Sequence, residues 1–277
     1  MRRHFYLACL RLARIGFAGW GIGIALYALL LTYLYPSVSA SAGRLIQQYI
    51  ESMPEQLKAA IGVAGKGTVE MLFTDGTYDF RAWVNTEYLT WLPLLLGIYA
   101  VIYCGGLVSR EVERGTMDML LSQPLRRSSF LLSKFSAFAT LVAGVILVSY
   151  ATLSLGSLGI DVELNYRYLA LAHVVALLFA LAIAGYSTLA SCLLLEPGKS
   201  VAVPGLVTAL IFFLNMLAPS IESATWLQKG SLFYYFDPFA MMFRGEVSWA
   251  GVGVYLGVML GSLILAIAVF QWKDIVR

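Results

Sequence analysis

Between Ser109 and Lys134 the chain interleaves bases and acids: Arg110, Glu111, Glu113, Arg114, Asp118, Arg126, Arg127 and Lys134. At helical spacing they surround Met117, Met119, Leu120 and Leu121. An apolar knob ringed by polar groups is what a docking surface needs. Arg126 and Arg127 also suit anionic lipid, whereas Glu111, Glu113 and Asp118 do not. The segment is built for binding, not for breaking bonds.

Elsewhere the chemistry is sparse. Gly198-Lys199-Ser200 is a fragment of a phosphate-binding loop, but that loop needs a glycine at position 193, where Leu193 stands, and a preceding β-strand. Pro197 and Gly198 read instead as a bend between two apolar runs, anchored by Lys199. His4 and His173 are too far apart in sequence to suggest a metal cluster, and His173 reads as hydrogen-bonded structure. Cys9, Cys104 and Cys192 have neither metal nor redox spacing and read as small buried hydrophobes. The sequence contains no Gly-x-Ser-x-Gly elbow and no His-Glu-x-x-His zinc signature. No charge interrupts the middle of a long apolar run, where ion-coupled transporters keep carboxylates or lysines.

The elements that hold the 109–134 segment are themselves apolar. The chain has 277 residues, 60% hydrophobic and 13% charged, too little polar surface to meet water all round. Six uncharged runs of 21 to 28 residues separate the charges. About twenty apolar residues cross the hydrocarbon core as a helix, so each run spans once. The spans fall at about 15–35, 88–109, 135–158, 168–195, 200–219 and 249–272, in one transmembrane domain over 1–277.

Six spans put both termini on one side. That side holds 12 basic and five acidic residues, the other seven and 11, so the termini and the 109–134 connector are expected in the cytoplasm. Ala40-Ser41-Ala42 fits a signal-peptidase site, but the preceding apolar run of 21 residues is too long for a signal peptide. Residues 1–14 read as an amphipathic helix on the inner surface.

Outside, residues 36–87 carry Leu45, Ile46, Tyr49, Ile50, Met53, Leu57 and Ile61 at helical spacing, an amphipathic cap on the spans. Residues 222–246 are rich in aromatics, from Trp226 to Phe243, and read either as short re-entrant helices or as an interfacial belt. Gly253, Gly257 and Gly261, like Gly19 and Gly23, have the four-residue spacing that packs helices closely, more often within a chain than between chains. Two spans carry uncharged polar stripes: Tyr88, Tyr99 and Tyr103 in the second, and Pro204, Thr208, Phe212, Asn215 and Pro219 in the fifth.

The run EVERGTMDMLLSQPLRRSSFLLSK resembles the signature of ABC-2 type permeases, membrane subunits of prokaryotic ATP-driven transporters. Glu113, Gly115, Thr116, Leu120, Leu121, Ser122, Pro124, Arg127 and Lys134 match it in order, and the likeness extends over nearly the whole chain. The resemblance implies an all-α integral membrane protein of the cell's inner membrane with six transmembrane helices and an N-terminal interfacial helix. It also implies a cytoplasmic coupling helix between spans two and three, and short external or re-entrant helices before span six. It implies a homodimer of permeases, each meeting a separate ATPase subunit that binds ATP and Mg2+, with lipid but no nucleic acid as further partner. Glu111, Glu113, Arg114, Gly115, Thr116, Met117, Asp118, Leu120, Leu121 and Pro124 would then carry force from the ATPase through residues 109–125. Spans one, two and five would surround the pathway, with Tyr99, Tyr103, Thr208, Phe212 and Asn215 on its wall. Their apolar faces favour export of a hydrophobic or amphipathic permeant.

Three other readings compete, one of them a membrane-embedded enzyme, which would need paired catalytic groups at one depth. A secondary transporter would need internal repeats and intramembrane ionisable groups, and neither is present in the sequence. A membrane scaffold that recruits a cytosolic partner would need only the docking surface. Because the sequence lacks a complete phosphate loop, the chain purified free of any partner is expected to hydrolyse no ATP. Phosphate release in such a preparation would refute the permease reading.

Overall fold

Between Arg3 and Ser52 the sequence contains a single proline, Pro36, and one helix of 50 residues, α1, runs straight through it. The computed structural model describes residues 3–54, 57–58, 72–74, 77–117, 126–220 and 222–273. Pro36 removes one ladder bond, and nearby carbonyls find other donors. Trp83 Nε1 donates to the Leu31 carbonyl at 2.9 Å, and Ser37 Oγ to that of Leu34 at 2.7 Å. At about 1.5 Å per residue α1 is about 75 Å long, well over twice the hydrocarbon thickness.

This corrects the expectation of a separate interfacial helix at 1–14. No break divides residues 3–14 from the first span, and their inner side packs on a neighbouring helix. The ring of Phe5 lies 5.3 Å from that of Phe130, Tyr6 Oη is 2.7 Å from Thr140 Oγ1, and Cys9 is buried.

A minimal antiparallel hairpin, β1 (Phe73–Thr74) and β2 (Thr77–Tyr78), follows. It is pinned to α1 by Tyr35 Oη and Ser39 Oγ, which both donate to the Tyr78 carbonyl at 2.8 and 3.2 Å. Burial pushes the Tyr78 hydroxyl up to about 12. The chain continues through α2 (Phe80–Trp83), a π-helical turn (Val84–Leu89) and α3 (Leu92–Gly105). Then come α4 (Ser109–Glu113), α5 (Arg127–Gly159), α6 (Tyr166–Leu194), α7 (Pro197–Leu217) and α8 (Trp249–Trp272). Among the described residues, six helical segments are long and apolar enough to cross a membrane: His4–Ser39, Phe80–Glu113, Arg127–Gly159, Tyr166–Leu194, Pro197–Leu217 and Trp249–Trp272. The chain is an all-α, multi-pass membrane protein.

Helix α6 is the centre, packed by α3, α5, α7 and α8, while α1 lies along α5. Its inward residues are small: Ala176, Ala180, Ala182, Ala184 and Gly185 are buried, which lets neighbouring backbones approach. A Cβ on Gly185 would sit 3.0 Å from Met259 Cα and 3.1 Å from its carbonyl oxygen. The outward faces of α1, α7 and α8 expose Leu26, Leu30, Leu206, Leu210, Leu260 and Ile264. Such surface suits lipid rather than water.

The segment after α7 resolves the choice between belt and short helices. Three 3-10 helices among the described residues (Ala218–Ser220, Glu222–Gly230, Leu232–Tyr235) and a π turn (Ala240–Arg244) follow, with Phe233, Phe236, Phe239, Met241 and Met242 buried. Phe233 meets Phe179 edge-on at 4.8 Å. The glycine stripes differ from expectation. A Cβ at Gly19, Gly23, Gly253, Gly257 or Gly261 would meet nothing within 4 Å, so they do not pack helices of this chain.

These contacts make glycine substitutions selective. Overpacking against backbone costs about 1–3 kcal/mol, so Gly185→Ala is expected to lower the melting temperature of the detergent-solubilised protein by several degrees, and Gly257→Ala to leave it unchanged. Thermal unfolding of the two variants side by side checks this.

Candidate functional site

The connector begins with a break, not with the continuous helix that its residues suggest. Helix α3 ends at Gly105, and residues 106–108 form a turn before the five-residue α4. Ser191 Oγ on α6 accepts from the amides of Val108 and Ser109 at 2.9 and 3.1 Å. Ser109 Oγ lies 2.7 Å from Ser200 Oγ on α7. One turn is thus tied to two further helices.

Helix α4 then stops on Gly115, whose φ of +66° only glycine adopts without strain. Two amide bonds close the end: Gly115 N–H to the Val112 carbonyl and Thr116 N–H to that of Glu111, each at 3.1 Å. Paired bonds of this kind satisfy carbonyls that the helix would otherwise leave open. Side chains lock the same residues. Thr116 Oγ1 donates to Glu111 Oε2 at 2.5 Å, and Lys134 Nζ, at the start of the third span, donates to Glu111 Oε1 at 2.5 Å and to the Leu107 carbonyl at 3.0 Å. The Lys134 and Glu111 side chains are 14% and 20% exposed, so this ion pair is largely shielded from water.

What faces outward at this end is narrow. Glu113, Arg114 and Gly115 are exposed at the apex, with open space around the Gly115 Cα. Glu111 and Thr116 turn inward to each other, and Met117 is 2% exposed, in the core instead of on an outer knob. Asp118, Leu120, Leu121 and Pro124 lie outside the described residues.

Basic residues here cap helices. Arg127 Nη1 donates to the carbonyls of Phe270 and Lys273 at 3.0 and 2.8 Å, at the end of α8, with its guanidinium 5.9 Å from the Phe270 ring centroid. Its partners are therefore protein, not the lipid expected of it. Lys273 Nζ reaches the carbonyls of Cys192, at 3.5 Å, and Leu193 at the end of α6. The bend before α7 turns on Leu195, in the left-handed region at φ 48°, with Pro197 opening α7 and Lys199 paired to Glu196 at the surface.

The polar residues of the stripes have three different surroundings. Tyr99 is 3% exposed between the rings of Trp20 and Phe138, at 5.2 and 5.3 Å, and Tyr103 packs on Phe138 at 5.3 Å. Thr208 Oγ1 donates to the Pro204 carbonyl at 2.7 Å and lies 2.5 Å from Tyr186 Oη. Tyr88 joins a buried chain: its Oη is 2.6 Å from Ser149 Oγ, which is 2.7 Å from His173 Nε2. His173 Nδ1 faces the Leu169 carbonyl at 2.8 Å and must donate to it, so Nε2 accepts. The histidine is structural.

Phe212 and Asn215 differ, because both line a cleft of about 440 Å3. Its walls are the end of α1, the π turn, α7 and the 3-10 segment, contributing Tyr49, Trp83, Glu87, Trp91 and Phe236 among others. Glu87 and the two tryptophans were not legible as site residues. The available signal was Glu87 as the last charge before the second span. Below the cleft, between α1 and α3, an apolar groove of about 680 Å3 passes over Gly16, Gly19 and Gly23, walled by Trp20 and Trp91.

Comparison with known proteins adds one match. A family model described as "ABC-2 family transporter protein" matches residues 16–275, nearly the whole chain. No curated protein matches it.

The shielded ion pair gives a stability test. Removing one partner of such a pair leaves the other uncompensated, at a cost of about 3 kcal/mol or more. Lys134→Met and Glu111→Gln are each expected to lower the melting temperature, and the double variant to lose clearly less than the sum. Additive losses in that double-mutant cycle would show that the two side chains are not coupled.

Proposed function

Because the chain belongs to the ABC-2 family of transporter proteins, permease components that associate with an ATP-binding cassette ATPase, we propose the details that family membership leaves open. The protein is the permease of an exporter, both termini and the connector face the cytoplasm, and two copies pair in the cell membrane. ATP and Mg2+ are bound by the partner ATPase. The partner docks on the connector within 109–125, with the exposed Glu113-Arg114-Gly115 apex as its described contact.

The observation that carries this is the clamp behind the apex. A push on Glu113 and Arg114 meets a short helix held to α5 through Glu111 and Lys134, to α6 through Ser191 and to α7 through Ser200. Force applied there reaches three membrane helices without first bending a loop. At the other end, Phe212 and Asn215 flank the aromatic cleft, which supports a hydrophobic or amphipathic permeant. Tyr99, Tyr103 and Thr208 belong to the same pathway in this reading, as packed groups that separate when the two copies move.

The test uses the permease co-expressed with its ATPase and measures co-purification and ATP-driven transport in inside-out vesicles. Gly115→Pro forces φ to about −65° and deletes the amide bonded to Val112, and Glu113→Arg reverses a charge at the apex. Both variants are expected to reach the membrane at wild-type levels with transport lowered about tenfold or more, the factor that about 1.4 kcal/mol of lost contact gives. Wild-type transport by both would end the coupling assignment.

A further inference from the structure

The aromatic cleft holds an acidic side chain, Glu87. Glu87 lines it, is exposed, and makes no ion pair with any described residue. Glu87 lies within the π-helical turn. Thr90 N–H bonds to the Asn85 carbonyl at 3.0 Å, five residues back; Tyr88 in this turn is buried while Glu87 lines the cleft. Single π turns recur at functional sites. Around the carboxylate the walls are aromatic: Trp83, Trp91, Tyr49, Phe212 and Phe236. Trp83 is held in place by its bond to Leu31, whereas Trp91 is 45% exposed and free to meet a ligand.

We propose that this cleft binds a lipophilic organic cation of the quaternary ammonium or phosphonium class. Aromatic faces attract such cations through the ring quadrupole, and a carboxylate among apolar walls attracts them more strongly than one in water. A volume of about 440 Å3 falls in the range of drug-sized ligands. An anion of equal size would meet Glu87, and among the described residues no basic side chain lines the cleft. The inference rests on the permease reading only for transport of the cation; binding stands on the cleft itself.

The experiment measures binding to the purified full-length chain in nanodiscs, without ATPase, using tetraphenylphosphonium and the equally shaped anion tetraphenylborate. Saturable phosphonium binding is expected, with the borate weaker by about tenfold or more. Glu87→Gln is expected to lower phosphonium affinity about tenfold and to narrow the preference between the ions. Glu87→Asp keeps the preference, and Trp91→Leu weakens phosphonium binding without changing any charge. Equal binding of the two ions, or phosphonium binding indifferent to both Glu87→Gln and Trp91→Leu, overturns the proposal. Failure here leaves ATP-coupled transport untouched, and loss of ATP coupling in the vesicle assay leaves this binding measurement untouched.

Discussion

A helix that ends in or near a membrane leaves backbone carbonyls open where water cannot be relied on to satisfy them. At the connector end three cations meet that constraint. Lys134 serves the Leu107 carbonyl just past α3, Lys273 the last carbonyls of α6, and Arg127 those of α8. A cation also opposes the negative end of the helix dipole, so each contact combines a hydrogen bond with a favourable field. The second, fourth and sixth crossing helices all end here, and each is closed by a residue from a different part of the chain. The basic residues that mark this side for orientation also knit it together.

That stitching divides the bundle into a tied end and a looser one. Small residues on α6 bring α3, α5, α7 and α8 close, and the capping cations fix their ends. At the other end the contacts are aromatic and short helical turns fill the space between longer helices. Phe233 touches both Phe179 and Phe212 there, at 4.8 and 5.2 Å, so one ring links α6, α7 and the 3-10 segment. Ring contacts of this kind slide at lower cost than a shielded ion pair breaks.

The spans were readable because a bilayer demands long uncharged runs, and few sequences meet that demand by accident. The capping contacts were not readable, since their acceptors are backbone carbonyls that any residue supplies; Arg127 and Phe270 are joined across 143 positions by a bond with no sequence signature. Periodicity placed Met117 on an outer knob, but a left-handed turn at Gly115 redirects the chain and buries it. The same limit hid the continuity of α1, because basic residues early in a helix look alike whether they lie on a membrane or run into it. At the cleft, Phe212 and Asn215 were legible from a stripe on one helix. Glu87 was not, because the π turn that holds it departs from the 3.6-residue period on which such stripes are read.

The unbroken α1 has a mechanical consequence. Phe5 fixes one end of the helix against α5 near the connector, and Tyr49 and Ile50 form part of the cleft wall near the other. About 45 residues separate these points, about 68 Å at about 1.5 Å per residue. Because α1 is also held along its length, by α5 and by Trp83, Tyr35 and Ser39, it joins the connector end and the cleft wall as one continuous strut.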